Sequence, residues 1–319
     1  PQASFGPAAS GRSSRTDGLA YHRLSHADPE TRWYSPLLEG LLGVVVFIGL
    51  SLILSLLMAA VAMGSGLSLR EITENRSLVM EHPALFALTF LSLIAIVPSL
   101  FLARLVVGPK PWGLIHSVAG RLRRSLLLPY LGLGFVIYGI YYAVMVAVSG
   151  ASLPDYRYSQ PSQVEFWVIA VLILLLVPVQ CYAEELAYRG FMMQTLGRWI
   201  RTPWLPIVLP AALFMFSHTY DAWGLGFVFA MGVYAGFLCW YTGGLEASVS
   251  LHVANNVTLL LLSLVAGLDP FASEGVAPMD ALQGIALEGL YVVLACLIFN
   301  ARARRGEVSR ETQPLKVDN

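Results

Sequence analysis

Residues 164–189 read VEFWVIAVLILLLVPVQCYAEELAYR. After Glu165, beside its start, nothing charged interrupts the run until Glu184. A helix needs about 20 mostly apolar residues, rising about 1.5 Å each, to cross a bilayer. The stretch therefore reads as a membrane span that ends in two glutamates and an arginine. Its surroundings agree. Hydrophobic residues make up 56% of the 319 residues and charged residues 13%, against about 45–50% and about 25% in an ordinary soluble chain. Mean hydropathy is +0.66. The composition predicts an all-α, polytopic membrane bundle with lipid as part of its solvent. Twenty basic residues balance twenty acidic ones, so no basic excess points to nucleic acid. Cys181, Cys239 and Cys296 have neither the number nor the spacing of a disulfide framework or a CxxC zinc site.

Eight spans are expected, at about 37–63, 84–107, 126–149, 164 into 184–189, 203–218, 225–242, 245–266 and 281–300. The fifth is short and opens on Pro203, Pro206 and Pro210, which suggests a partly broken helix. Seventeen of the 20 Lys and Arg residues then fall on the side of the two termini. Only Arg70, Arg76 and Arg157 fall opposite. That asymmetry places both termini in the cytoplasm of a multi-pass protein of the cell membrane. Residues 1–35 read as a disordered polar tail lacking the h-region of a signal peptide. Residues 36–300 form the bundle and 301–319 a second polar tail. No internal repeat suggests an inverted-repeat transporter.

Ionisable side chains at membrane depth are costly and mark function by default. Glu185 and Arg189 stand four apart on one helical face, acid first, the better order for an ion pair. Glu184 lies about 100° around the helix. An arginine can thus neutralise one carboxylate while the other faces a cavity as a general base. The plainer alternative leaves all three solvated at the interface. His218 closes the fifth span. His252 and Asn256, four apart in the seventh, can project together and donate to an oxyanion, or serve as interhelical glue. Glu184, His218 and His252 also make a two-histidine, one-carboxylate set of the kind that binds catalytic zinc, although no HExxH is present. Glu288 is expected to face the interior on a serine or tyrosine, outside any site.

Three motifs together resemble a known family. Glu184-Glu185-x-x-x-Arg189, Phe214-x-x-x-His218 and His252-x-x-x-Asn256 are similar to the EExxxR, FxxxH and HxxxN motifs of the CAAX prenyl protease and bacteriocin-processing (Abi, or CPBP) intramembrane proteins. The resemblance covers about residues 164–266. It implies an eight-helix bundle whose polar cavity opens toward the cytoplasm, hydrolysing a peptide bond near that face. Glu184 with His218 would activate a water, and His252 with Asn256 would stabilise the oxyanion. Glu185 with Arg189 would hold the helix in register. No cofactor is expected, with zinc the rival view. The implied partner is a membrane-associated protein or peptide substrate, and nothing in the sequence points to a prenylated one. A non-catalytic bacteriocin-immunity or scaffold protein of the same fold is the alternative. A transporter or proton relay built on the same groups is a third reading.

Overall fold

In the computed structural model the described residues are 18–149, 161–271 and 276–312. The apolar runs fold into α1 (Ser35–Gly64), α2 (Pro83–Val107), α3 (Arg124–Ser149), α4 (Gln163–Trp199), α5 (Trp204–Phe216), α6 (Ala222–Thr242), α7 (Glu246–Ala266) and α8 (Pro278–Arg304). No β-strand forms among the described residues; two isolated bridges, Ala20 with Glu311 and Ser117 with Gly244, are the β-type pairings. Seven of the helices are long and apolar enough to cross a membrane. At 13 residues, α5 is only about 20 Å long against a hydrocarbon core of about 30 Å.

Contacts at the helix ends show that α5 nonetheless runs from one end of the bundle to the other. The two terminal segments pair directly, with Gly18 N donating to Thr312 O at 3.1 Å and Thr312 N to Leu19 O at 3.2 Å. They therefore share one end. Just before α5, the Arg201 carbonyl accepts from His22 Nε2 at that end. Just after α5, Thr219 Oγ1 accepts from Arg76 at 2.7 Å, and Arg76 belongs to the α1–α2 connection at the opposite end. The chain thus traverses the bundle eight times, seven of them on long helices. Contrary to the sequence expectation, α5 is unbroken: Pro203 precedes its first residue, and Pro210 is carried inside it.

Two boundaries also move. The helix expected to close near Arg189 continues to Trp199, because a π-helical segment, Leu186–Met192, carries it onward without a break. Residues 18–34, expected within a disordered tail, are folded. Tyr21–His26 form a 3-10 helix whose Tyr21 and Leu24 are buried. Burial of each such side chain stabilises by about 1.5–3 kcal/mol. Tyr21 Oη donates to Ile115 O at 2.7 Å, and Ser25 Oγ to Gln194 O at 3.1 Å. Residues 1–17, Arg157 and residues 313–319 lie outside the described residues.

His22 and His26 cap the end of α4, their Nε2 atoms 3.0 Å from Arg201 O and Arg198 O. Burial lowers both imidazoles below their usual range; the carbonyl bonds oppose this, and Arg23 adds repulsion. The undocked histidines therefore bind protons more readily. Docking should be complete above the free value of about 6.5 and weaken as pH falls below it. Hydrogen exchange over residues 20–28, corrected for intrinsic rates, should lose protection between about pH 7.5 and about pH 5.5. Unchanged protection would show that the apolar contacts alone hold the segment.

The rest of this end is closed by the α2–α3 connection. Leu245 N donates to His116 O at 2.8 Å and Val118 N to Gly243 O at 2.9 Å. Gly243 has φ 73, the left-handed conformation that lets α6 end and α7 begin at once. At the start of α7, Glu246 accepts from Arg123 N, Nε and Nη2 at 2.7, 2.9 and 2.7 Å. A carboxylate is favoured at a helix N-terminus, and here it also pins the connection. Arg104, in the last turn of α2, is buried 3.2 Å from the equally buried Glu39 of α1.

Candidate active site

The site is assembled by α4, α5, α6 and α7. On α4, the π segment begins one residue after Glu185. A π turn widens the helix and redirects the residues within it, among them Arg189. Arg189 is 1% exposed. Its Nη1 donates to Glu185 Oε1 at 2.7 Å and its Nη2 to the carbonyl of Gly232 at 3.1 Å. Gly232 has to be small, since a Cβ there would come within 2.9 Å of Ala211 Cβ and 3.3 Å of Arg189 Nη2. The close approach of α5 and α6 thus leaves room for the guanidinium and offers it a backbone acceptor.

His252 of α7 lies between the two glutamates. Its Nδ1 is 3.1 Å from Glu185 Oε1, and its Nε2 is 3.5 Å from Glu184 Oε2. Glu185, ionised against Arg189, can only accept, so Nδ1 carries a proton. The opposite nitrogen is left to exchange a proton with Glu184. Glu185 and Glu184 differ in their surroundings as well: the Glu185 side chain is 0% exposed and that of Glu184 is 13% exposed. One carboxylate is locked in an ion pair and the other reaches the open part of the site, the division expected from helical geometry.

Phe214 of α5 joins the three motifs. The Arg189 guanidinium carbon sits 4.7 Å above its ring centre. The His218 and His252 rings lie 4.7 and 5.8 Å away, both edge-on. His218 follows the last turn of α5 and is partly exposed. Its Nδ1 donates to Phe214 O at 2.8 Å, which leaves Nε2 of the neutral ring as an acceptor. Asn256 Oδ1 accepts from Asn255 Nδ2 at 2.9 Å, so the Asn255 side chain orients the Asn256 amide.

The geometry departs from expectation in three respects. His252 Nε2 faces Glu184, 3.5 Å away, and not open space. Glu184, His218 and His252 do not come together as a ligand set: no group of three His, Cys, Asp or Glu side chains suited to a metal occurs among the described residues. Glu288 is fully buried as anticipated, but neither carboxylate oxygen has the expected hydrogen-bond partner among the described residues. The buried Tyr138 hydroxyl likewise has no hydrogen-bond partner among the described residues. Gly232 was missed by the sequence reading because a carbonyl acceptor leaves no mark in residue type.

Burial changes along α7. Every residue of α7 from Glu246 to Ala254 is buried, beneath the α2–α3 connection at the terminal end. Asn255, Asn256, Thr258 and Leu259 are partly exposed. His218 lies on the connection whose next residue is bound by Arg76.

Residues 164–258 match the Rce1-like family. The family is described as type II CAAX prenyl endopeptidase Rce1-like, and the matched segment contains Glu184, Glu185, Arg189, Phe214, His218, His252 and Asn256. The chain is also similar to an uncharacterised protein, YyaK, of Bacillus subtilis, with 29% identity over 169 residues. That alignment covers 48% of this chain and 56% of the relative, so the chain spans little more than half of it. No solved structure gives a significant match. The Rce1-like segment begins one residue into α4 and ends within α7. The helices that build the site are thus the ones the family describes.

Proposed function

We propose that this multi-pass membrane protein is an intramembrane endopeptidase with Glu184 as its general base. The observation that carries the reading is the contact series from Arg189 through Glu185 and His252 to Glu184. It has the logic of an activated base: a reacting group, a histidine beside it, and a buried anion that fixes the histidine's proton. Glu184 removes a proton from water as the water oxygen attacks a peptide carbonyl. The proton then passes to the amide nitrogen, the C–N bond breaks, and a carboxylate and an amine leave. In this reading His218 Nε2 accepts the water's second hydrogen bond. The Asn256 NH2 group supplies a donor for the oxyanion. The match to the Rce1-like family supports endopeptidase chemistry. The substrate is a membrane-associated polypeptide.

The test compares protein termini in membranes from cells making the wild type and Glu184→Gln at equal abundance. Termini that disappear with Glu184→Gln, while the variant keeps the wild-type unfolding midpoint in detergent, are the expected result. A shared biological effect with no terminus different would overturn the enzyme reading. It would favour a binding protein of the same fold, such as an immunity or scaffold factor.

A further inference from the structure

We infer that the corner where residues 18–34 meet the end of α4 and the start of α5 binds the phosphate of an anionic phospholipid headgroup, held by Arg23, Arg198 and Arg201. It is separate from the chemistry at Glu184. The folded chain itself gathers the three arginines. Arg23 Nη1 donates to Gly197 O at 2.6 Å. Arg198 Nη1 donates to Ser25 O at 2.7 Å, and its Nη2 donates to Thr31 O. The Arg201 carbonyl is the one that His22 Nε2 meets, and the Arg201 residue is exposed. Their charge is not balanced locally. Residues 18–34 and 193–204 together hold four arginines against two carboxylates, Asp28 and Glu30. Asp28, the acid whose charge reaches Arg198, already accepts from the backbone N–H groups of Glu30 and Lys110, each at 2.9 Å. Among the described residues, no ion pair joins Arg23, Arg198 or Arg201 to an acid. Burial lowers the Arg23 guanidinium below its ordinary range, and repulsion from Arg201 and Arg198 lowers it further. Like charges gathered in this way attract an anion. A guanidinium has five N–H donors, of which the carbonyls occupy only part, so the remaining donors can fork onto phosphate oxygens.

The neighbouring surface makes the anion a lipid. Trp33, Trp199 and Trp204 are exposed at the same corner, with Trp199 Nε1 donating to Trp33 O at 3.0 Å. Tryptophans are enriched at the headgroup level of membrane proteins. Directly after them, α1 and α5 begin with exposed leucines, Leu37 and Leu38 on one and Leu205 on the other. A soluble phosphate has a use for the arginines alone. A phospholipid engages both parts, its headgroup on the arginines and its acyl chains on the leucines, which is how basic groups beside membrane helices recognise anionic lipids. A headgroup bound here also fastens residues 18–34 in place, because Arg23 belongs to that segment and Arg198 and Arg201 to the α4–α5 corner.

The test uses the full chain in nanodiscs of phosphatidylcholine, with and without phosphatidylglycerol, at about pH 7.5, where free imidazoles are mostly neutral. Native mass spectrometry of the retained lipid reads the preference for phosphatidylglycerol, and hydrogen exchange over residues 20–28 reads the docking. Each basic residue beside an anionic surface is worth about fivefold in affinity, so Arg201→Gln should lower the preference about fivefold and the charge reversal Arg201→Glu about 25-fold. Arg304→Gln, which removes an exposed charge at the end of α8, should leave it unchanged. In the wild type, phosphatidylglycerol should slow exchange over residues 20–28, and Arg201→Gln should abolish that slowing. A preference that survives Arg201→Gln, or falls equally with Arg304→Gln, would overturn the site. Slowing reproduced by inorganic phosphate in phosphatidylcholine alone, at matched ionic strength, would assign the corner to a free anion and overturn the lipid. Should Arg201→Glu lower the unfolding midpoint, the neutral Arg201→Gln decides the result.

Discussion

Arg189→Met is expected to lower the stability of the bundle by about 3–5 kcal/mol, the usual consequence of stranding one member of a buried ion pair. The substitution keeps the length of the side chain and removes its charge. Glu185, 0% exposed, would then hold a carboxylate with His252 as its remaining named donor, and the Gly232 carbonyl would lose its partner. Pairing the change with Glu185→Gln should recover most of the loss, because a neutral amide and a thioether need no counter-charge. The measurement is the unfolding midpoint in detergent for both single variants and the double variant. If Arg189→Met alone proves as stable as the wild type, the pair does not hold α4 in register. Its importance would then lie wholly in orienting His252. The cycle is informative because Glu185 and Arg189 are in direct contact, where single-variant effects do not add.

His252→Gln is expected to reduce turnover by about 10²–10⁴-fold, the range for loss of a group that manages a proton in the transition state. Glutamine can still donate to Glu185 and fill most of the space, so the unfolding midpoint should change little. What it cannot do is exchange a proton with Glu184 across the 3.5 Å between them. The pH profile discriminates between the possible roles. A proton-managing His252 contributes a limb to the rate profile that His252→Gln abolishes, whereas a merely structural His252 leaves its shape unaltered. Activity within about tenfold of wild type, with an unaltered profile, would transfer the role to His218. Phe214 touches both imidazoles, so the comparison is between neighbours sharing one wall.

The sequence was sufficient to define the class of fold, because lipid allows few solutions. A chain too apolar to face water must satisfy its backbone internally, and eight apolar runs with basic residues concentrated on alternate connections leave a helical bundle as the outcome. The candidate residues were legible for the same reason: charges and imidazoles stand out at membrane depth. Spacing by four also paired Glu185 with Arg189 before any contact was seen. Other features depend on distances between segments far apart in the chain. Whether His252 faces Glu184 or open space is settled by the angle at which α7 meets α4, and no periodicity within either helix encodes it. The π turn at Leu186–Met192 has no marker in residue type. The buried Arg123–Glu246 and Arg104–Glu39 pairs join residues 123 and 65 positions apart, beyond the reach of any spacing within one helix. The docked residues 18–34 appeared disordered because their own composition cannot form a core; the end of α4 and the α2–α3 connection supply it.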